Sequence, residues 1–214
     1  MQSVNPYDMM SYMDNMDHEN INNKKPIVTF LLVISNVCIW TVLEFFGDTQ
    51  DAVYIARYGG IYPDLVIGGE WYRLVTAVFL HFGAEHLANN MIFLAAAGCK
   101  LEQAAGSVKY LLIYLGAGIA GNLLSLFVMM HTGDYAVCAG ASGAVFGIIG
   151  ALLWAVIRNH GKLAGLTAKG LLLMLALSLY NGITAIGVDN WAHLGGAIGG
   201  FFLCIPLYRK PQNT

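Results

Sequence analysis

Six apolar runs separated by short polar stretches dominate this chain: Ile27 to Phe46, His86 to Cys99, Val108 to Met130, Ser142 to Ile157, Gly170 to Ile186 and Trp191 to Leu207. A helix crossing a bilayer takes about 20 apolar residues, so 214 residues hold six such runs and little else. Only 11% of the residues are charged and 57% are hydrophobic, where a soluble domain carries about 25% charge. Such a chain dissolves in lipid rather than hiding a core from water. Backbone groups in hydrocarbon must pair within their own segment, which selects helices. The expected fold is all-α: a polytopic six-transmembrane-helix bundle.

The polar stretches set the frame. Residues 1–26 are rich in Met, Asn and Asp and lack the apolar core of a signal peptide. They are read as a short disordered tail, and residues 209–214 as a cytoplasmic C-terminal tail. Residues 47–80 mix charges with Tyr54, Tyr58, Tyr62, Trp71, Tyr72 and Phe79, a composition suited to the membrane interface. Pro63, Gly59, Gly60 and Gly68 break any long helix there, so this first loop is expected to lie structured in the headgroup region. With six spans both termini share one side. Lys24, Lys25, Lys100, Lys109, Arg158, Lys162, Lys169, Arg209 and Lys210 fall on that side, and only Arg57 and Arg73 opposite. The bias makes the termini cytoplasmic and puts Ser142 near the outer face. A net charge of −2 with no basic run gives no footing for nucleic acid. Cys38, Cys99, Cys138 and Cys204 form no metal-binding pattern, and neither a metal nor a cofactor is expected.

The fourth run, residues 142–157, reaches about 24 Å as a helix, short of the roughly 30 Å hydrocarbon core. Arg158 fixes its cytoplasmic end, so Ser142 should be recessed below the outer surface. The second run is short in the same way, with His86 at its outer end. Two recessed helix starts leave a cavity that polar groups must line. Ser142, His193 and the pair His86 and Asn90 all come from helix ends on that side.

A serine hydroxyl is a poor nucleophile until a base takes its proton, and neutral imidazole is the usual base. Ser142 and His193 must then stand on helices that pack unusually close. Gly143 and Gly147 lie just below the serine, and Gly196 and Gly200, doubled by Gly195 and Gly199, below the histidine. Small residues at that spacing permit close approach, although alone they mean only helix packing. Acyl transfer also needs donors for a developing oxyanion. The Ser142 backbone N–H at a helix start is one. His86 and Asn90, spaced i and i+4, share a helix face and offer two more, with helix gluing as the alternative for Asn90. His81 is read as a structural hydrogen-bonding group in the loop, not a metal ligand. Asp189 is read as a cap or solvated group rather than a triad carboxylate, leaving a dyad. Ser35, Ser125 and Ser178 are read as serines bonded back to their own helix. His18, His131 and His160 carry no signal.

These residues resemble the rhomboid family of intramembrane serine proteases. The resemblance rests on Gly140-Ala141-Ser142-Gly143, on Ala192-His193 with Gly196 and Gly200, on His81, His86 and Asn90, and on Tyr72-Arg73. It implies a rhomboid-like bundle of the basic six-helix bacterial type, occupying residues 27–208. It further implies a Ser142 nucleophile, a His193 general base and an oxyanion hole of His86, Asn90 and the Ser142 amide. Gly140 would shape the site, and Phe146 would stack on His193 where relatives often carry Tyr. The implied reaction is hydrolysis of peptide bonds in or near transmembrane helices of protein substrates, in the plasma membrane, with the fifth span and the loop before Asp189 as lateral gate and cap. Oligomeric state is left open. One alternative is an inactive relative serving as a membrane chaperone or trafficking factor, but such proteins lose the serine or the histidine. The other is a small transporter, which calls for charges at mid-membrane, where this chain has only Glu44, near the end of a run.

Overall fold

A computed structural model describes residues 25–185 and 187–208. The greater part of both tails, with His18, Lys24, Arg209 and Lys210, lies outside the described residues, as does Ile186. Helix α1 (Ile27–Phe46) is followed by short pieces α2 (Ala52–Arg57), α3 (Pro63–Ile67), α4 (Arg73–Thr76) and a 3-10 turn at Ala77–Phe79. Then come α5 (Gly83–Ala105), α6 (Ser107–Thr132) and α7 (Ser142–Arg158). A two-residue hairpin, β1 (Lys162–Leu163) with β2 (Leu166–Thr167), leads to α8 (Ala168–Thr184) and α9 (Asn190–Leu207). The fold is helical as expected. By length and composition two helices, α1 and α6, suffice to cross a membrane, while α7 and α8 are shorter apolar helices.

One expectation is corrected. The second run was to be short, covering 86–99, yet α5 holds 23 residues, about 34 Å of helix. Lys100 and Glu102 read as an exit, but Glu102 is only 2% exposed and satisfied on both sides. Its carboxylate accepts from the backbone N–H of Val28 at 3.0 Å and of Thr29 at 2.7 Å, from the Thr29 hydroxyl at 2.8 Å and from Ser107 at 2.6 Å. Helix α1 has no side-chain cap of its own, so the end of α5 caps it from across the fold. Any recess of His86 therefore has a cause other than a short helix.

The core forms around α7, which buries twelve of its 17 residues, most of them Gly, Ala, Val or Ile. Helices α5, α6 and α9 surround it. Helix α1 buries three of its 20 residues and α8 two of 17. Their exposed apolar faces suit a lipid solvent.

The interfacial stretch is pinned by Arg73. Its guanidinium, buried in an otherwise polar segment, donates to the Gly60 carbonyl at 2.7 Å, to the Ala56 carbonyl and to Glu70. The Tyr72 phenol and then the Arg73 guanidinium hold the Glu70 carboxyl below its usual range. Three fixed acceptors around one planar cation make a rigid corner out of a glycine-rich loop.

Candidate active site

The segment entering α7 is held by that loop. Cys138 and Ile61 exchange backbone hydrogen bonds at 2.9 and 2.8 Å, the Gly140 N–H reaches the Ala77 carbonyl at 2.9 Å, and the Ala141 N–H reaches Nε2 of His81 at 3.3 Å. His81 is 1% exposed. Burial, then the neighbouring His86, push its imidazole down to about 3, so it is neutral and Nε2 can accept. Gly140 has φ +145, which side chains rarely adopt, and a Cβ there would lie 2.8 Å from the His86 ring. Only glycine fits. Helix α7 then starts at Ser142 without any side-chain cap, leaving its first N–H groups free for an incoming anion.

His86 stands opposite. The Phe82 N–H donates to its Nδ1 at 3.3 Å, which assigns the proton of the neutral ring to Nε2. The vacant Cβ position of Gly140 is 3.0 Å from that Nε2 and 3.7 Å from the Ser142 hydroxyl oxygen. An N–H donor and the serine oxygen thus flank the same small space. Asn90, one turn along α5, spends one amide N–H on the His86 carbonyl at 2.9 Å. That bond stays within its own helix and joins no second helix, and the second amide N–H stays available.

Helix α9 brings His193 to the same place by glycine-on-carbonyl packing. A Cβ at Gly196 would fall 1.9 Å from the Gly143 carbonyl oxygen, and one at Gly200 would fall 1.9 Å from that of Gly147. The doubled glycines serve the other neighbour: Cβ atoms at Gly195 and Gly199 would meet α6 at Ala120 and Leu124. Two faces of α9 are therefore bare, one for α7 and one for α6. His193 is 9% exposed, and its ring stacks on Phe146 at 4.0 Å between centroids and 6° between planes. Asp189 caps α9 through the Ala192 N–H at 2.9 Å.

Ser142, His193, His86, Asn90, Gly140 and Phe146 all line one cavity of about 970 Å³. Among the described residues no hydrogen bond joins the serine to the histidine, and catalytic pairs are often loose before substrate binds. Two serine readings change. Ser125 is not bonded back to its helix but donates to Asp189, and Ser178 lines the cavity. Neither was legible from spacing, because the partner of Ser125 comes from 64 residues away.

Comparison with known proteins gives the family. The rhomboid domain family matches residues 68–210. The rhomboid protease GluP of Bacillus subtilis is 35% identical over 86% of this chain, which spans 36% of GluP. YdcA of the same organism is 34% identical over 88% of this chain and 92% of its own length. The rhomboid-like protease 1 of Toxoplasma gondii is 32% identical over 87% of this chain and 63% of its own length. The family match takes in α4 through α9, where the quoted motifs sit on helices or at their entrances, and the chain belongs to the rhomboid family of integral membrane proteins.

Proposed function

We propose that this chain is an intramembrane serine endopeptidase with a Ser142–His193 dyad. The observation that carries the reading is the glycine-on-carbonyl packing of α7 and α9, which opens both side chains onto one cavity. Ser142 attacks the carbonyl carbon of a scissile peptide while His193 takes the hydroxyl proton. The carbonyl oxygen gains a negative charge, met by the Ser142 N–H, Nε2–H of His86 and the free amide N–H of Asn90. On collapse the C–N bond breaks and His193 returns the proton to the leaving amine, leaving an acyl-serine. Water, deprotonated by His193, then frees the carboxylate product and restores the serine. Phe146 keeps the imidazole plane fixed through this cycle, and Gly140 leaves the room that the tetrahedral oxygen needs.

The substrates are transmembrane protein segments, for which a cavity walled by the thinly packed α8 leaves lateral access. The six long helices span the plasma membrane, both termini are cytoplasmic and the cavity opens towards the outer face. Lys100 and Lys109, near the junction of α5 and α6, and Arg158, Lys162 and Lys169, near that of α7 and α8, support that orientation.

The test is cleavage of a model transmembrane substrate in liposomes by the full chain and by Ser142→Ala and His193→Ala. Wild type is expected to cut and both variants to be silent while still folded. A Ser142→Ala protein that still cuts overturns the assignment, and an inert folded wild type supports the non-catalytic alternative. Asn90→Ala is expected to lose turnover by roughly 10²-fold, the scale of other oxyanion donors, with little change in melting temperature.

A further inference from the structure

Resting on the protease reading, we infer that Asp189 and Ser125 form a positioning pair for His193: a carboxylate clamped one helical turn before the base sets the charge the base works against. Asp189 is held at two points. One oxygen accepts from the Ala192 N–H at 2.9 Å, and the other accepts from the Ser125 hydroxyl of α6. An N-cap needs only the first bond. The second spends a buried hydroxyl on fixing a carboxylate that also lines the active-site cavity. The backbone joins the same pair, since the His193 N–H donates to the Asp189 carbonyl at 3.1 Å. Asp189 thus reaches the base through the chain and through the cavity.

Among the described residues no lysine or arginine lines the cavity with this carboxylate. The other titratable groups lining the cavity are Glu85 and His86 from α5, Cys138 from the segment entering α7, and the phenols of Tyr62 and Tyr135. Helices α6, α7 and α8 contribute none. The Cys138 thiol, 3.9 Å from the Ser125 oxygen, is pushed up to about 12 by burial and then by the Asp189 charge. During the reaction the imidazole becomes imidazolium, and a nearby anion favours that form. Asp189 does not touch the imidazole or the reacting atoms, so its role is positioning and electrostatic rather than that of a third catalytic group.

The experiment is a pH profile of kcat and kcat/KM, on the transmembrane substrate, for wild type, Asp189→Asn, Asp189→Glu and Ser125→Ala. Asparagine keeps the cap and removes the charge, and its amide NH2 takes the place of the oxygen that accepts from Ser125, so that hydroxyl must turn to accept instead. Activity needs neutral His193, so removing an anion moves the acid limb to lower pH, by about half a unit to one unit for a partly screened charge, and lowers plateau kcat about tenfold. Glutamate restores the charge and returns the limb towards wild type. Ser125→Ala keeps the charge, so its limb stays in place while kcat falls several-fold with KM unchanged. The inference is overturned if Asp189→Asn and Ser125→Ala keep wild-type profiles and differ only in melting temperature. Should Asp189→Asn not fold, Ser125→Ala decides alone, a wild-type kcat counting against the pair. Failure of the protease reading looks different: wild type is then inert, or Ser142→Ala is active, whatever Asp189 does.

Discussion

At the scale of single residues, the site depends on groups that must stay neutral. His81 accepts the Ala141 N–H that seats the serine, and its imidazole lies near 3 against an ordinary 6.5 because it is buried and faces His86. Between those values the unfolded chain binds a proton that the folded chain does not. Stability therefore rises with pH through this window and is lost as pH falls from about 6.5 towards 3, by up to about 1.4 kcal/mol per unit. Unfolding in detergent at a series of pH values should show His81→Gln with a flatter acid dependence than wild type. Equal slopes for the two would remove His81 from the account. The motif histidines and the serine could be picked out from sequence because they are polar groups in apolar runs. Ser125 could not, since a serine inside an apolar helix usually bonds its own backbone. Nothing local announces that Asp189 will arrive from another helix.

At the scale of elements, α7 and α9 meet through backbone rather than side chains. Gly200→Ala drives a methyl to within 1.9 Å of the Gly147 carbonyl, and a helix backbone cannot turn aside. The helices must part, at a cost of about 3 kcal/mol, and activity should fall with the separation. Gly116→Ala on α6 makes the comparison. Its methyl meets only the end of the Leu203 side chain at 2.7 Å, which can rotate, while alanine gains up to about 1 kcal/mol of helix propensity. Melting temperatures and cleavage rates of the two variants should diverge, and equal effects would refute backbone contact as the reason for the glycines. This pairing was legible in the sequence as two small-residue ladders. Where α5 ends was not, because Lys100 and Glu102 look like solvated charges until α1 and Ser107 are seen to surround the carboxylate. Equally hidden was the order within residues 47–82, where Arg73 organises the loop through carbonyls that have no sequence signature.

At the scale of the whole molecule, the proposed orientation rests on charge. The hairpin carrying Lys162 and the segment carrying Asp134 lie at opposite ends of α7. Cysteine introduced for Asp134 should react with an impermeant maleimide on intact cells, above the background of the parent chain. Cysteine introduced for Lys162 should react only after permeabilisation. The reverse pattern would invert the proposed topology. Apolar runs and lysine bias are what the proposed frame is read from, since lipid imposes the same demands on every segment. The cavity was readable only in part. Its glycine, serine and histidine come from motifs, but its walls at Val145, Ile149 and Met174 come from how the helices splay.

The position of His193 on α9 has a consequence in time. A ribosome delivers α7 and its serine some fifty residues before the imidazole that would activate it. The seat for the helix that carries it, the bare faces of Gly143 and Gly147, stays empty until α9 enters the membrane. On the proposed chemistry the nascent chain is dormant throughout its insertion. It acquires the power to cut only when its final described helix docks, so a half-made molecule poses no threat to its neighbours at the translocation machinery.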